Sequence, residues 1–277
     1  MDNRLWQHHF GRGLVATPGN LGAAGGRPTH PELLDWLAVE FVRQGWSIKA
    51  LHRLMLISRT YRQGSRLTEP AARLDPEGHL LSQMPMRRVE GEIVRDALLA
   101  VAGRLDQQQF GPPDLVDVRD DGLVTSKPSG RGWRRSVFVL QRRTTLPTIL
   151  ESFDAPELNP SCMERRESIV SLQALHLLNN GMIHELAGDF AERVLREAGE
   201  GRDAQIEHIH LVAYGRLPDD EERAAASEMF DELTRQWTGQ FRDAGSVPAE
   251  SRTTAARRAL HNYCHAVMNS AAFLYID

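Results

Sequence analysis

His261, Cys264 and His265 fall at i, i+3 and i+4, a spacing that puts two imidazoles and a thiol on one helix face. That donor set suits zinc or copper, but a full site needs a fourth ligand, such as His208 or His210. A chain with eleven histidines produces such matches by chance. Cys264 beside Tyr263 and Val267 also reads as a small buried apolar residue. No metal is therefore expected, and His261, Cys264 and His265 stand as the metal candidates. A second constellation, Arg4, His8, Asp35 and His52, supplies a cation, two imidazoles and a carboxylate. These residue types do hydrolytic acid–base chemistry, which makes the four the catalytic candidates. No G-x-S-x-G elbow accompanies them. His8 and His9 point to different faces of their helix, so at most one serves a shared site.

The glycines from Gly11 to Gly26 invite a phosphate-loop reading, yet they follow a helix, and neither G-x-G-x-x-G nor G-x-x-x-x-G-K-[ST] is present. Arg12 between Gly11 and Gly13 suits an anion-binding nest; a tight turn needing positive φ is the preferred use of the two glycines. The net charge of −4 hides an asymmetry. Residues 41–68 hold six cations and no acid, residues 122–150 hold six more (Lys127, Arg131, Arg134, Arg135, Arg142 and Arg143), and residues 200–232 hold ten acids against three arginines. A polyanion-binding face is one reading; mutual neutralisation in the fold is preferred, and nucleic acid is not expected as a partner.

The elements that must position these groups read as helices. Residues 2–10 form a short helix stopped by glycine. Thr29-His30-Pro31-Glu32 resembles a helix start, and Leu33, Leu34, Leu37 and Phe41 mark its apolar face, with Gly45 as the left-handed cap. Trp6, Phe10, Trp36 and Trp46 are read as core. A helix from Pro85 to Ala102 is expected to pack its stripe against the N-terminal helices. Between 104 and 155, Pro and Gly punctuation surrounds a small β element, with Ser136–Leu140 as the main strand candidate and Leu115–Val118 as another. Helical periodicity resumes at Ser168, and Asp219–Glu222 has capping-box spacing. The fold class is mainly α: a multi-helix globular domain with a small β element near 136–140. The expected division is 1–103 helical, 104–155 a loop-rich β-containing connection, and 156–277 helical, packed as one unit.

With 277 residues, 41% hydrophobic and 25% charged, the chain is globular in composition and large enough for a substantial core. No apolar run approaches the roughly 18 residues that cross a bilayer. No signal core follows Met1, and Cys162 and Cys264 imply no disulfide framework. No C-x-x-C-H is present, so no cofactor is expected in this chain. Arg4, Arg62, Arg88 and Arg142 are expected to bridge helices through Asp35, Glu90, Asp96 or Asp154.

Several stretches carry a family resemblance: Asn3-Arg4-Leu5-Trp6-Gln7-His8-His9-Phe10-Gly11-Arg12-Gly13, His30-Pro31-Glu32-Leu33-Leu34-Asp35-Trp36-Leu37 and Ser58-Arg59-Thr60-Tyr61-Arg62. Further on come Arg87-Arg88-Val89-Glu90, Ser152-Phe153-Asp154-Ala155-Pro156, Gln173-Ala174-Leu175-His176-Leu177-Leu178-Asn179 and the ending Phe273-Leu274-Tyr275-Ile276-Asp277. Together they resemble the planctomycete-type C-terminal domain of unknown function found downstream of planctomycete cytochrome C domains in large exported proteins. The resemblance implies upstream cytochrome C and helical domains, in the same or a neighbouring protein, as partners. It also implies an exported or periplasmic setting, with signal and haem motif lying upstream of Met1. It supplies no activity. The expected function is a non-enzymatic interaction or scaffold module; a hydrolase or metal-dependent enzyme built on the N-terminal His/Arg/Asp cluster, and a polyanion binder, are the alternatives.

Overall fold

The computed structural model describes the chain apart from residues 67, 131, 143–144, 157–161, 163–164, 166, 244–247 and 277, and apart from the side chains of 243 and 248–252. Arg131 and Arg143 of the second basic stretch, and the terminal Asp277, lie outside the described residues. The fold is mainly α with small β elements. Two compact units divide it: Met1–Arg88 with Tyr275–Asp277, and Val89–Leu274. The 104–155 segment is part of the second unit.

In the first unit, α1 (Asp2–Phe10) is stopped by Gly11 at φ 75°, and α2 (Pro31–Arg43), α3 (Ile48–Leu56) and α4 (Glu69–Leu74) follow. Trp6, Phe10, Leu14, Leu37, Phe41 and Leu51 interlock as its core. Pro31 occupies the first turn of α2, but the cap position belongs to His30. Thr29 instead donates to the Leu14 carbonyl. The other end of α2 closes as a Schellman motif: Gly45 N–H donates to Val42 O, and Trp46 N–H donates to Phe41 O. Trp46 itself sits at φ 62°, a left-handed conformation that costs a non-glycine residue about 1–2 kcal/mol. Strand β1 (Arg87–Arg88) pairs antiparallel with Tyr275–Ile276.

In the second unit, α5 begins at Gly91, not Pro85, and ends at Val101. Its buried stripe is Val94, Leu98 and Val101, while Ile93 is exposed, and the helix joins a core with Phe190, Ile209 and Leu260. The helix expected to pack with α1 and α2 therefore belongs to the other core. Strand β2 (Leu105–Asp106) runs parallel to Trp133–Arg134, and β3 (Val116–Val118) forms a hairpin with β4 (Val124–Ser126) through the Asp120–Gly122 turn. The strand expected at 136–140 is not there. Trp133–Arg134 forms β5, and Ser136–Phe138 is a turn of 3-10 helix. The cause is tertiary: Ser136 N–H and Oγ both donate to Asp96, at 2.7 Å each, which turns the chain despite its β-prone residues. Six helices complete the unit: α6 (Thr148–Ser152), α7 (Ser171–Asn179), α8 (Gly181–Ala198), α9 (Arg202–Tyr214), α10 (Asp220–Asp243) and α11 (Pro248–Met268). A final turn, α12 (Ala271–Leu274), leads into β6 (Tyr275–Ile276). At the start of α10, Glu222 N–H donates to Asp219 and Asp219 N–H to Glu222, the reciprocal capping box. The Arg216 guanidinium beside Glu222 holds that carboxyl down at about 2.

Arginine–carboxylate bridges organise the second unit. Asp96 is held by Arg95 and Arg135, and Glu90 by Arg165. Asp154 accepts from Ser168 and Gln173. Among the described residues the deepest pair is Arg134 with Asp114 at 2.6 Å. Lys127 pairs with Asp117, while Arg202, Arg216 and Arg223 pair within the acidic stretch. In the first basic stretch, Arg43 pairs with Glu40 on the same helix.

Candidate functional site

Arg4 and His8 are exposed on α1, and Asp35 is exposed on α2. Only His52 meets another imidazole, and its partner is His9: Nε2 of His9 lies 2.7 Å from Nδ1 of His52, with Tyr61 edge-on to His9. One proton bridges the two rings, so the pair is neutral when one ring donates and the other accepts. Burial, then the neighbouring His52 and Arg87, lowers the His9 pKa below the ordinary imidazole value. The sequence offered the choice between His8 and His9; α1 turns His9 inward because Leu5, Trp6 and Phe10 define its buried face.

The metal candidates separate. Cys264 is fully buried, and burial pushes its thiol far above the ordinary value, so no thiolate is presented. No bridge joins it to the exposed Cys162. His261 and His265 lie instead beside His184 of α8, whose ring is 4.2 Å from that of His265. Nε2 of His265 donates to Leu177 O and Nε2 of His184 to Leu178 O, so each spends one nitrogen on backbone. Among the described residues no group of three or more His, Cys, Asp or Glu is arranged to hold a metal.

Buried rings of this kind are expected to make the second unit acid-sensitive. His176, His210, His261 and His265 all lie below the ordinary imidazole pKa, chiefly because burial disfavours the charged ring. A histidine with a depressed folded pKa takes up its proton more readily when unfolded. Stability is therefore complete above the unfolded pKa of about 6.5 and is lost as pH falls from there towards the folded values. The urea midpoint followed by circular dichroism is expected to hold between about pH 8 and 7 and to fall steadily towards pH 5. A midpoint unchanged across that lower range contradicts the buried imidazoles.

Two surface features of the first unit remain. The first is a cleft of about 280 Å³ walled by Arg12, Leu14, Thr29, His79, Leu81 and Gln83. The second is apolar. Trp36, Val39 and Val42 point to solvent from α2, and Trp46 stands just past its cap, 66% exposed. The core reading of Trp36 and Trp46 is therefore wrong, although that of Trp6 and Phe10 holds. Leu33, Leu37 and Phe41 define the inner face of α2, and 100° per residue carries Trp36 and Val39 off it, so the helical wheel held the signal. Ile48 and Leu56 on α3 and Ile57 just past it are exposed as well, as are Arg43, Lys49 and Arg53.

No curated protein and no solved structure matches the chain. One family model, described as PSD1, a protein of unknown function (DUF1553), matches residues 1–230, and the chain belongs to that family.

Proposed function

We propose that the chain is a non-enzymatic interaction module that docks a protein partner through the surface formed by α2, Trp46 and α3. One observation carries the reading: two tryptophans, Trp36 at 51% and Trp46 at 66% exposure, stand in solvent beside Val39 and Val42. Aromatic anchors in an apolar patch with a polar margin are the anatomy of a protein interface. Trp46 adds to this, because its left-handed backbone is a strained conformation that asparagine or glycine would tolerate better. The exposed Arg43, Lys49 and Arg53 suit a partner with an acidic rim. The family resemblance supplies the partner we assign, a cytochrome-bearing segment in the same or a neighbouring exported protein. The module takes no cofactor of its own in this reading.

The test separates binding from folding. Trp36→Gln replaces an exposed helical aromatic with a good helix former, and Trp46→Asn suits the left-handed position. The double variant is expected to match the parent in urea stability within about 0.5 kcal/mol. It is also expected to lose co-purification with the partner from cells of the source organism. A loss above about 2 kcal/mol would show the tryptophans to be structural. Unchanged co-purification would remove the docking surface.

A further inference from the structure

The cleft of the first unit is built independently of the tryptophan face. One wall is the turn after α1. Asn3 is buried and clamps it: its Nδ2 donates to Val15 O at 3.0 Å, and Val15 N–H donates to its Oδ1 at 2.8 Å. Gly13 is obligatory there, since a Cβ would stand 2.7 Å from the Val15 carbonyl and 2.8 Å from the Asn3 amide. The clamp presents Arg12 at the cleft. The facing wall is organised by Asp75, buried, which accepts from His79 N–H, Leu80 N–H and the Ser82 hydroxyl. Gln63 donates to the carbonyl of Leu81, which is held at φ 57°. Both walls are thus preorganised by side chains that do not themselves enter the cleft.

Inside, the polar groups are incompletely satisfied. Nε2 of His79 is claimed twice, by Arg12 and, at 3.1 Å, by Glu77. One ring nitrogen cannot accept from Arg12 and donate to Glu77 at once, and whichever it does, the exposed Arg12 and Glu77 both keep hydrogen-bonding capacity for a ligand. Gln83 lines the same cleft, and its carbonyl oxygen is buried with no hydrogen-bond partner. A buried acceptor without a donor costs free energy that a ligand donor would recover. The remaining walls are apolar, from Leu14, Pro76, Leu81 and Pro85.

We propose that this cleft binds a ring-sized, hydroxyl-bearing carboxylate, with Arg12 gripping the carboxylate and Gln83 accepting from a ligand hydroxyl. The size follows from the volume, near the lower end for small-molecule pockets. A carboxylate fits the planar fork of a guanidinium. Among the described residues Arg12 is the one arginine or lysine lining the cleft, and Glu77 opposes it, so a monoanion is accommodated and a phosphate dianion is not. Hydroxyl groups would serve the orphaned carbonyl and Glu77, while the leucine and proline walls cover the ring carbons.

Isothermal titration of the full chain with glucuronate tests this, with glucose as the probe lacking a carboxylate and benzoate as the probe lacking hydroxyls. Glucuronate is expected to saturate one site, at least about tenfold tighter than either control. Arg12→Gln, at an exposed position, is expected to weaken it at least about tenfold, and Gln83→Leu several-fold, whereas Arg196→Gln, at an exposed position on α8, changes nothing. The proposal is overturned if glucuronate gives no saturable heat, if glucose or benzoate binds as tightly, or if Arg12→Gln binds like the parent. Should Arg12→Gln misfold by circular dichroism, Arg12→Lys decides: it keeps the charge, loses the fork, and must still weaken binding.

Discussion

Arg134→Ala is expected to destabilise the second unit by about 3–5 kcal/mol, because it leaves a buried carboxylate without its cation. Asp114 is 1% exposed and Arg134 5%, and the guanidinium meets the carboxylate through Nε at 2.8 Å and Nη2 at 2.6 Å. The same guanidinium donates to the carbonyls of Phe110 and Pro112, so alanine strands two carbonyl acceptors as well. Backbone order depends on the pair: Asp114 N–H donates to Phe138 O, and Leu140 N–H donates to Asp114 O. Urea unfolding of Arg134→Ala, Asp114→Ala and the double variant is the measurement. The double variant is expected to lose less than the sum of the singles, since neither charge is then left alone. A single-variant loss below about 1 kcal/mol would mean that water reaches the pair.

Phe190→Ala is expected to cost about 3–5 kcal/mol, through lost apolar burial and the cavity left behind. Phe190 is fully buried on α8, on the face that also buries Ile183, Leu186 and Val194. Its core includes Leu98 of α5 and Leu260 of α11, so truncation removes packing where several helices meet. Thermal and urea unfolding report it. A loss below about 1.5 kcal/mol would show that the neighbours collapse into the space, which the close packing of protein interiors opposes.

What could be read from the sequence was largely what is local. The bounds of α1, the left-handed glycine after α2 and the Asp219–Glu222 box depend on residues within a few positions of one another, and all three are realised. The partners were not legible. Asp96 turned a β-prone run into a 3-10 turn from forty residues away, and the stripe of α5 faced a different core from the one nearest in sequence. At the candidate sites, the spacing of His261 and His265 gave a shared face but not His184, which arrives on another helix. His52 was identified without His9 for the same reason. Helical spacing beside leucines does not place Trp36 and Trp46 in the core, because α2 commits its inner face to leucines and Phe41.

The most direct test of the docking face is photo-crosslinking from Val39, which lies between Trp36 and Val42 on the solvent side of α2. A photoreactive residue would replace Val39 in cells of the source organism, with the exposed Glu228 of α10 as the control position. The account predicts one dominant adduct at position 39, a protein with an acidic surface at the crosslinked segment, absent at position 228 and lost in the Trp36→Gln/Trp46→Asn background. The same diffuse adducts at both positions, or an adduct at 39 that survives the double substitution, would contradict it.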